Sequence, residues 1–245
     1  MEKRITIICG HYGSGKTEVS LNYAVHIASK RKKAALVDLD IVNPYFRSRE
    51  YGLVLAEKGV DVYSDAFGYD ITADLPALTA NVRKPLEDKD TFTVVDAGGD
   101  AAGARALNQF RRCFPREETE VVFVINAKRP ETSTIDGAKA HIAGIRAETG
   151  LSITGIINNT HLLRETTVEI VKNGMVFAEN LAEEMGVAVK FHTCREDLHP
   201  QVLAWMDGEG SRLNLAPKGT PKEARKGDPK LFPLVLYMRP TWLDK

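Results

Sequence analysis

Residues 7–20 read "IICGHYGSGKTEVS". An apolar run meets a cluster of glycines, and a lysine and a threonine close the cluster. Gly10, then His11, Tyr12, Gly13 and Ser14, then Gly15, Lys16 and Thr17 match G-x-x-x-x-G-K-[ST]. Each part of that pattern has a physical purpose. Glycines let the backbone turn tightly, so that successive N–H groups converge on an anion. A helix opening at Lys16 adds the positive end of its dipole, and the expected nucleotide-binding stretch runs from Gly10 through His11 and Tyr12 to Glu18. The lysine reaches the β- and γ-phosphates, and the threonine hydroxyl coordinates Mg²⁺. The alternative is a dinucleotide fingerprint, for which Gly13 and Gly15 supply G-x-G. That reading fails because position 18 is Glu where a third glycine is required, and Lys16-Thr17 has no role in it.

The flanking sequence has the required context. "RITIIC" (4–9) reads as a buried strand, and "KTEVSLNYAVHIASKRK" (16–32) has helical spacing with a basic end. Further strands are expected at 33–39, 60–63, 91–99, 119–127, 151–159 and 187–193. Helices are expected at 47–59, 72–88 (disturbed by Pro76 and Pro85), 131–150 and 165–186. Near-continuous apolar strands alternating with helices predict an α/β fold, a mostly parallel sheet with helices on both faces. From about residue 207 the chain turns rich in Gly, Pro and Lys, then returns to the apolar "LFPLVLYM" (231–238). The expected organisation is a nucleotide-binding unit over 1–206 and an extension over 207–245 that packs back on it as an edge strand.

Composition narrows the function classes. The 245 residues carry 33 Lys+Arg and 33 Asp+Glu. A neutral chain gives no electrostatic reason to expect nucleic acid or an anionic membrane as partner. No stretch is apolar for the length of a membrane helix, and the N-terminus lacks the form of a signal peptide. The three cysteines, Cys9, Cys113 and Cys194, are isolated, which argues against a disulfide framework and a one-chain zinc site. The expected compartment is the cytoplasm.

Two acidic stretches complete a phosphate-handling set. "ALVDLDIVNPYF" puts Asp38 and Asp40 at a strand end, where period 2 sets both on one side. A carboxylate there holds the metal's water shell or orients the attacking water. "TFTVVDAGGD" delivers Asp96 to the sheet's C-terminal edge, with Gly98-Gly99 able to bring a backbone N–H to the γ-phosphate. The candidate catalytic residues are therefore Lys16, Asp40 and Asp96, and the candidate metal ligands Thr17, Asp40 and Asp96.

The loop, the "LVDLD" strand and the "VVDAGG" strand together resemble the MinD/ParA/nitrogenase-iron-protein (CobQ/CobB/MinD/ParA-like) group of P-loop NTPases. The resemblance covers roughly residues 4–195. It implies seven or eight mostly parallel strands, ATP with Mg²⁺, a nucleotide-bridged homodimer and a client protein. It also implies that an Asn after a late strand reads the adenine. "TGIINNTH" supplies Asn158 and Asn159, with Asn159 favoured. The chain departs from the group at His11, which stands where many members carry a second, "signature" lysine. A neutral imidazole does not replace a permanent cation. Arg47, Arg49 and Arg129 follow strand ends and are candidate substitutes. Tyr45, Phe46, Arg47 and Arg49 are candidates to hold a second ligand, and Asp65, Tyr69 and Asp70 belong to the same edge. His26 and His141 fall inside helices and read as structural. His192 and Cys194 read as packing or base-edge residues.

The expected activity is a slow Mg²⁺-dependent ATPase switch. The alternative is an ATP-dependent small-molecule kinase or ligase using the same loop, and a third class is a module that binds ATP without turnover. GTP ranks below ATP, because "NAKRP" (126–130) has Arg129 where a guanine-reading N-K-x-D motif needs Asp.

Overall fold

The computed structural model describes residues 3–30, 33–40, 51–64, 75–99, 106–208 and 230–238. Eight strands form one sheet: β1 (Ile5–Cys9), β2 (Ala34–Leu39), β3 (Val60–Ser64), β4 (Phe92–Ala97), β5 (Thr119–Ile125), β6 (Gly155–Asn158), β7 (Ala188–Arg195) and β8 (Lys230–Leu234). The order is β3-β2-β4-β1-β5-β6-β7-β8, and every pairing is parallel. The helices among the described residues include α1 (Lys16–Lys30), α2 (Gly52–Glu57), α3 (Leu75–Glu87), α4 (Ile135–Thr149), α5 (Val168–Met185) and α6 (His199–Asp207).

Period 2 on β1 shows why the sheet needs two cover layers. Ile5, Ile7 and Cys9 join one cluster with Val82 and Leu86 of α3, Ile142 of α4 and Leu181 of α5. Ile8 joins the opposite cluster, with Val19, Leu21 and Ile27 of α1 and Leu55 of α2. Both faces are buried, so the strands read as unbroken apolar runs. A third cluster seats Val202 of α6 against Val171 and Met175 of α5, with Cys194 inside it.

Helix ends follow local chemistry. Thr134 and Thr167 cap α4 and α5 by accepting from the Gly137 and Ile170 N–H groups, and Gly150 and Gly186 close those helices in the left-handed region. Pro76 and Pro85 both fall within α3. The carbonyls of Pro85, Leu86 and Asp88 at its C-terminal end accept from the Arg4 guanidinium, which supplies donors a helix end otherwise lacks.

The sequence expectations meet two differences. The sixth strand begins at Gly155, because Leu151–Thr154 is committed to the α4 cap and to a side-chain bond from Thr154 to β5. Helix α6 was not expected. The extension supplies an edge strand, β8, whose continuation returns across α1.

Parallel connection of β1 to both β4 and β5 brings the acidic strands to the phosphate loop. Asp38 of β2, Asp96 of β4 and Ile8 of β1 lie in one row of the sheet. No helix among the described residues is long and apolar enough to cross a membrane.

Candidate functional site

The loop between β1 and α1 is built as its glycines require. Gly13 and Gly15 have φ of 72° and 79°, in the region that favours glycine. Two carbonyls of the loop are held from outside. Arg129 Nε donates to the Gly13 carbonyl at 2.8 Å, and Asn159 Nδ2 to the Ser14 carbonyl at 2.8 Å. Asn159 Oδ1 in turn accepts from Thr193 Oγ1 at 2.6 Å. A carbonyl fixed outward helps hold the loop's amides in the inward array that cradles an anion. A Cβ on Gly15 would overlap Asn159 Nδ2. Ser14 Oγ is buried without a hydrogen-bond partner among the described residues. Gly10 is confined from both sides. A Cβ on it would lie 2.6 Å from the Val124 carbonyl oxygen of β5, and one on Gly99 would overlap Gly10's own carbonyl oxygen.

The charges converge at the same place. Lys16 Nζ lies 2.8 Å from Asp40 Oδ2, and both side chains are buried. The Asp40 backbone N–H donates to Asp38 Oδ1 at 3.0 Å, which ties the Asp38 carboxylate to the chain at Asp40. Asp96 is fully buried. Its Oδ1 accepts from Ser20 Oγ at 3.2 Å, and its Oδ2 has no hydrogen-bond partner among the described residues. Burial pushes the Asp96 carboxyl up to about 7 against the pull of Lys16, and Asp38 and Asp40 push it the same way. The Asp40 and Asp96 carboxylates are thus both buried beside the Lys16 ammonium. The oxygen set of Thr17, Asp40 and Asp96 fits Mg²⁺, a hard cation that takes one or two carboxylates and substrate phosphates.

His11 points away from this centre. Its Nδ1 and the Tyr12 carbonyl are 2.8 Å apart, its ring meets His141 edge-on at 4.9 Å, and its Nε2 lies 3.8 Å from Glu131. Tyr12 is exposed. Glu18 turns its carboxylate to the C-terminal arm, accepting from the Tyr237 and Met238 N–H groups at 2.6 and 3.0 Å. Burial pushes that carboxyl up to about 7, opposed by those two bonds. One turn along α1, Asn22 donates to and accepts from Val235 at 2.8 and 2.9 Å.

Asn158 is buried. Its Oδ1 accepts from the Thr160 N–H and hydroxyl, and its Nδ2 has no partner among the described residues. Beyond it, at the ends of β7 and β8, lies a cavity of about 460 Å³ lined by Arg164, Arg195, Glu196, Asp197 and the chain from Leu234 to Leu236. Arg195 forks onto Asp197 at 2.9 and 2.5 Å. His192 is fully buried, 3.3 Å from Glu179.

The structure thus brings together Gly10, Gly13, Ser14, Gly15, Lys16, Thr17, Asp40, Asp96, Gly99 and Asn159. Tyr45, Phe46, Arg47, Arg49, Asp65, Tyr69 and Asp70 lie outside the described residues. Sequence reasoning missed Ser20, Thr193 and Asn22. Ser20 carried a signal, because it follows Lys16 by one helical turn and so shares its face. Thr193 and Asn22 act across the fold and carried none.

No protein-family model matches the chain, and no curated protein matches it. Solved structures share its architecture. The signal recognition particle receptor FtsY from Elizabethkingia anophelis in complex with GDP matches with a TM-score of 0.53 and 16% identity, over 79% of this chain and 58% of that one. The 54 kDa signal recognition particle protein of Aeropyrum pernix K1 in complex with GDP matches with a TM-score of 0.54 and 22% identity, over 86% and 47%. FtsY of Thermotoga maritima matches with a TM-score of 0.50 and 19% identity, over 78% and 62%.

The chain has a P-loop NTPase fold. It spans about half to three fifths of the length of these structures. At such identities the likeness is one of fold, and the chemistry of this chain rests on its own residues.

Proposed function

We propose that the protein binds Mg²⁺-ATP and hydrolyses it slowly, as a switch of the MinD/ParA-like kind acting on a client protein. The observation that carries this reading is the buried ion pair of Lys16 and Asp40 beside the unpartnered Asp96 Oδ2 and Ser14 Oγ. Phosphate entering the loop takes Lys16 from Asp40 and satisfies Ser14. Asp40, freed of its ion pair, is left to orient water at the γ-phosphate. Thr17, Asp40 and Asp96 would hold Mg²⁺, which when bound neutralises charge on the β- and γ-phosphates. Gly99, pressed on Gly10, is placed to offer its N–H at the same end.

Two of the structural neighbours are described in complex with GDP, which supports a purine nucleotide. Adenine is favoured over guanine because the stretch 126–130 lacks the carboxylate that would accept from the N–H donors of a guanine edge. Strands lie about 4.8 Å apart, so the cavity at β7 and β8 is on the order of 15 to 19 Å from the end of β1. That is the reach of a nucleotide from phosphate to base, and Asn158 and Asn159 stand between the two. Asn159 reads the base in this proposal by exchanging one of its two present bonds.

The test is molar mass by light scattering without nucleotide, with Mg²⁺-ADP and with Mg²⁺-ATP, alongside phosphate release. A homodimer formed only with Mg²⁺-ATP, and slow phosphate release, are expected. A mass that ignores nucleotide, with no release until a small acceptor is added, would replace the switch by a kinase or ligase.

A further inference from the structure

Resting on that reading, we infer that Arg129 is a catalytic arginine supplied within the chain, donating to the phosphates of the bound nucleotide from the β5 side of the loop. Among the described residues, two cationic side chains belong to or touch the P-loop: Lys16 of the loop itself, and Arg129 from the turn after β5. The two are differently occupied. Lys16 has Asp40. Arg129 is partly buried, and among the described residues the one hydrogen bond of its guanidinium is from Nε to the Gly13 carbonyl.

A guanidinium carries five N–H donors in a rigid fork. Anchoring Nε leaves the four donors of the two Nη groups for another acceptor. The other partly buried arginines of the sheet show what such a group normally finds. Arg4 has Glu118 and a set of carbonyls, and Arg195 has Asp197. No carboxylate pairs with Arg129 among the described residues, although its guanidinium lies within about 3 Å of where a Gly13 Cβ would be. A partly desolvated cation without a counter-charge is costly unless an anion arrives. The anion that arrives at Gly13 is phosphate.

The departure at His11 gives this arrangement its purpose. The imidazole is turned toward α4 and its Nδ1 is engaged with the Tyr12 carbonyl, so no cation reaches the phosphates from that position. Arg129 reaches the same loop from the turn after β5 and is always charged. In the reaction, the oxygen of water bonds to the γ-phosphorus as the bond from that phosphorus to the bridging oxygen breaks. ADP leaves with the bonding pair, and the protons of the water pass to inorganic phosphate and solvent. Negative charge grows on the bridging and β-oxygens, which is where fixed donors lower the barrier.

The experiment compares wild type with Arg129→Ala and Arg129→Lys. It reads the phosphate-release kcat, and by calorimetry the affinities for Mg²⁺-ADP and for Mg²⁺-ADP with aluminium fluoride, which mimics the transferring phosphoryl group. For Arg129→Ala, kcat falls about 100- to 1,000-fold. The tightening produced by aluminium fluoride is lost, while Mg²⁺-ADP affinity changes by only a few fold. Arg129→Lys, which keeps the charge and guards against a misfolded Ala variant, recovers part of both. Parallel loss of affinity for both ligands would show a clamp on Gly13 and nothing more, and would overturn the inference. So would wild-type tightening that survives in Arg129→Ala. A wild-type chain that binds no Mg²⁺-ADP would instead overturn the nucleotide reading itself, and Arg129's role with it.

Discussion

Replacing Gly99 by Ala adds one methyl group at the tightest backbone contact of the site. The new Cβ would overlap the carbonyl oxygen of Gly10, lie 3.0 Å from its carbonyl carbon and 3.3 Å from the His11 Cα. Nonbonded heavy atoms settle near 3.5 to 4 Å, so relief needs a shift on the order of 1 Å. All three obstacles are backbone, and no rotamer change makes room. Gly10 cannot recoil either, because the Val124 carbonyl of β5 closes its other side. The shift therefore enters the P-loop or the turn after β4. A misplacement of about 1 Å at a catalytic centre costs on the order of 100-fold, or about 2.7 kcal/mol of transition-state stabilisation. Gly99 belongs to none of the three core clusters, so the melting temperature falls by only a few degrees. Phosphate release, Mg²⁺-ATP calorimetry and thermal unfolding by circular dichroism read the three quantities. Gly144→Ala is the control, since nothing lies within 4 Å of its Cβ and α4 gains a better helix former. Binding and turnover within twofold of wild type in Gly99→Ala, at an unchanged melting temperature, would refute the reasoning.

Three further outcomes are expected. Asp96→Asn keeps the bond to Ser20 within reach but removes the buried negative charge, so saturating Mg²⁺ leaves ATP turnover reduced about 100-fold; turnover equal to wild type would remove Asp96 from the metal site. Glu18→Ala deprives two arm N–H groups of their acceptor and costs about 2 kcal/mol. Hydrogen exchange should then quicken at Tyr237 and Met238 and leave β5 unaffected, and unchanged arm protection would contradict the grip. His161 sits beside the loop, and burial, then the nearby Arg129 charge, hold its imidazole down to about 4. Its folded value is below the unfolded 6.5, so the fold favours the neutral ring and loses stability as pH falls from 6.5 toward 4. The upper bound is about 3 kcal/mol, at 1.36 kcal/mol for each unit. Urea unfolding at pH 7 and 4.5 should show this loss in wild type and not in His161→Gln; an equal loss in both would refute the assignment.

The local part of this protein was legible in its sequence. The glycine spacing before Lys16-Thr17 demands positive φ and convergent amides. Unbroken apolar strands demand cover on both faces. The threonines before α4 and α5 and the glycines after them mark helix ends by chemistry that acts within a few residues. Asp38, Asp40 and Asp96 could be placed at one edge because parallel strands end on the same side.

What joins distant segments was decided by the tertiary structure. That Lys16 rests on Asp40, that Asn159 hangs from Thr193 and holds Ser14, and that Glu18 and Asn22 grip the returning arm depends on strand order and on the direction of each side chain. The same holds for the place of Arg129, which its sequence position after β5 allowed on any side of the loop. Local pattern fixes the conformation of a segment through its own backbone and period. Partners far apart in sequence meet only once β1 is set between β4 and β5 and α1 is packed under β8, and no single segment contains that information.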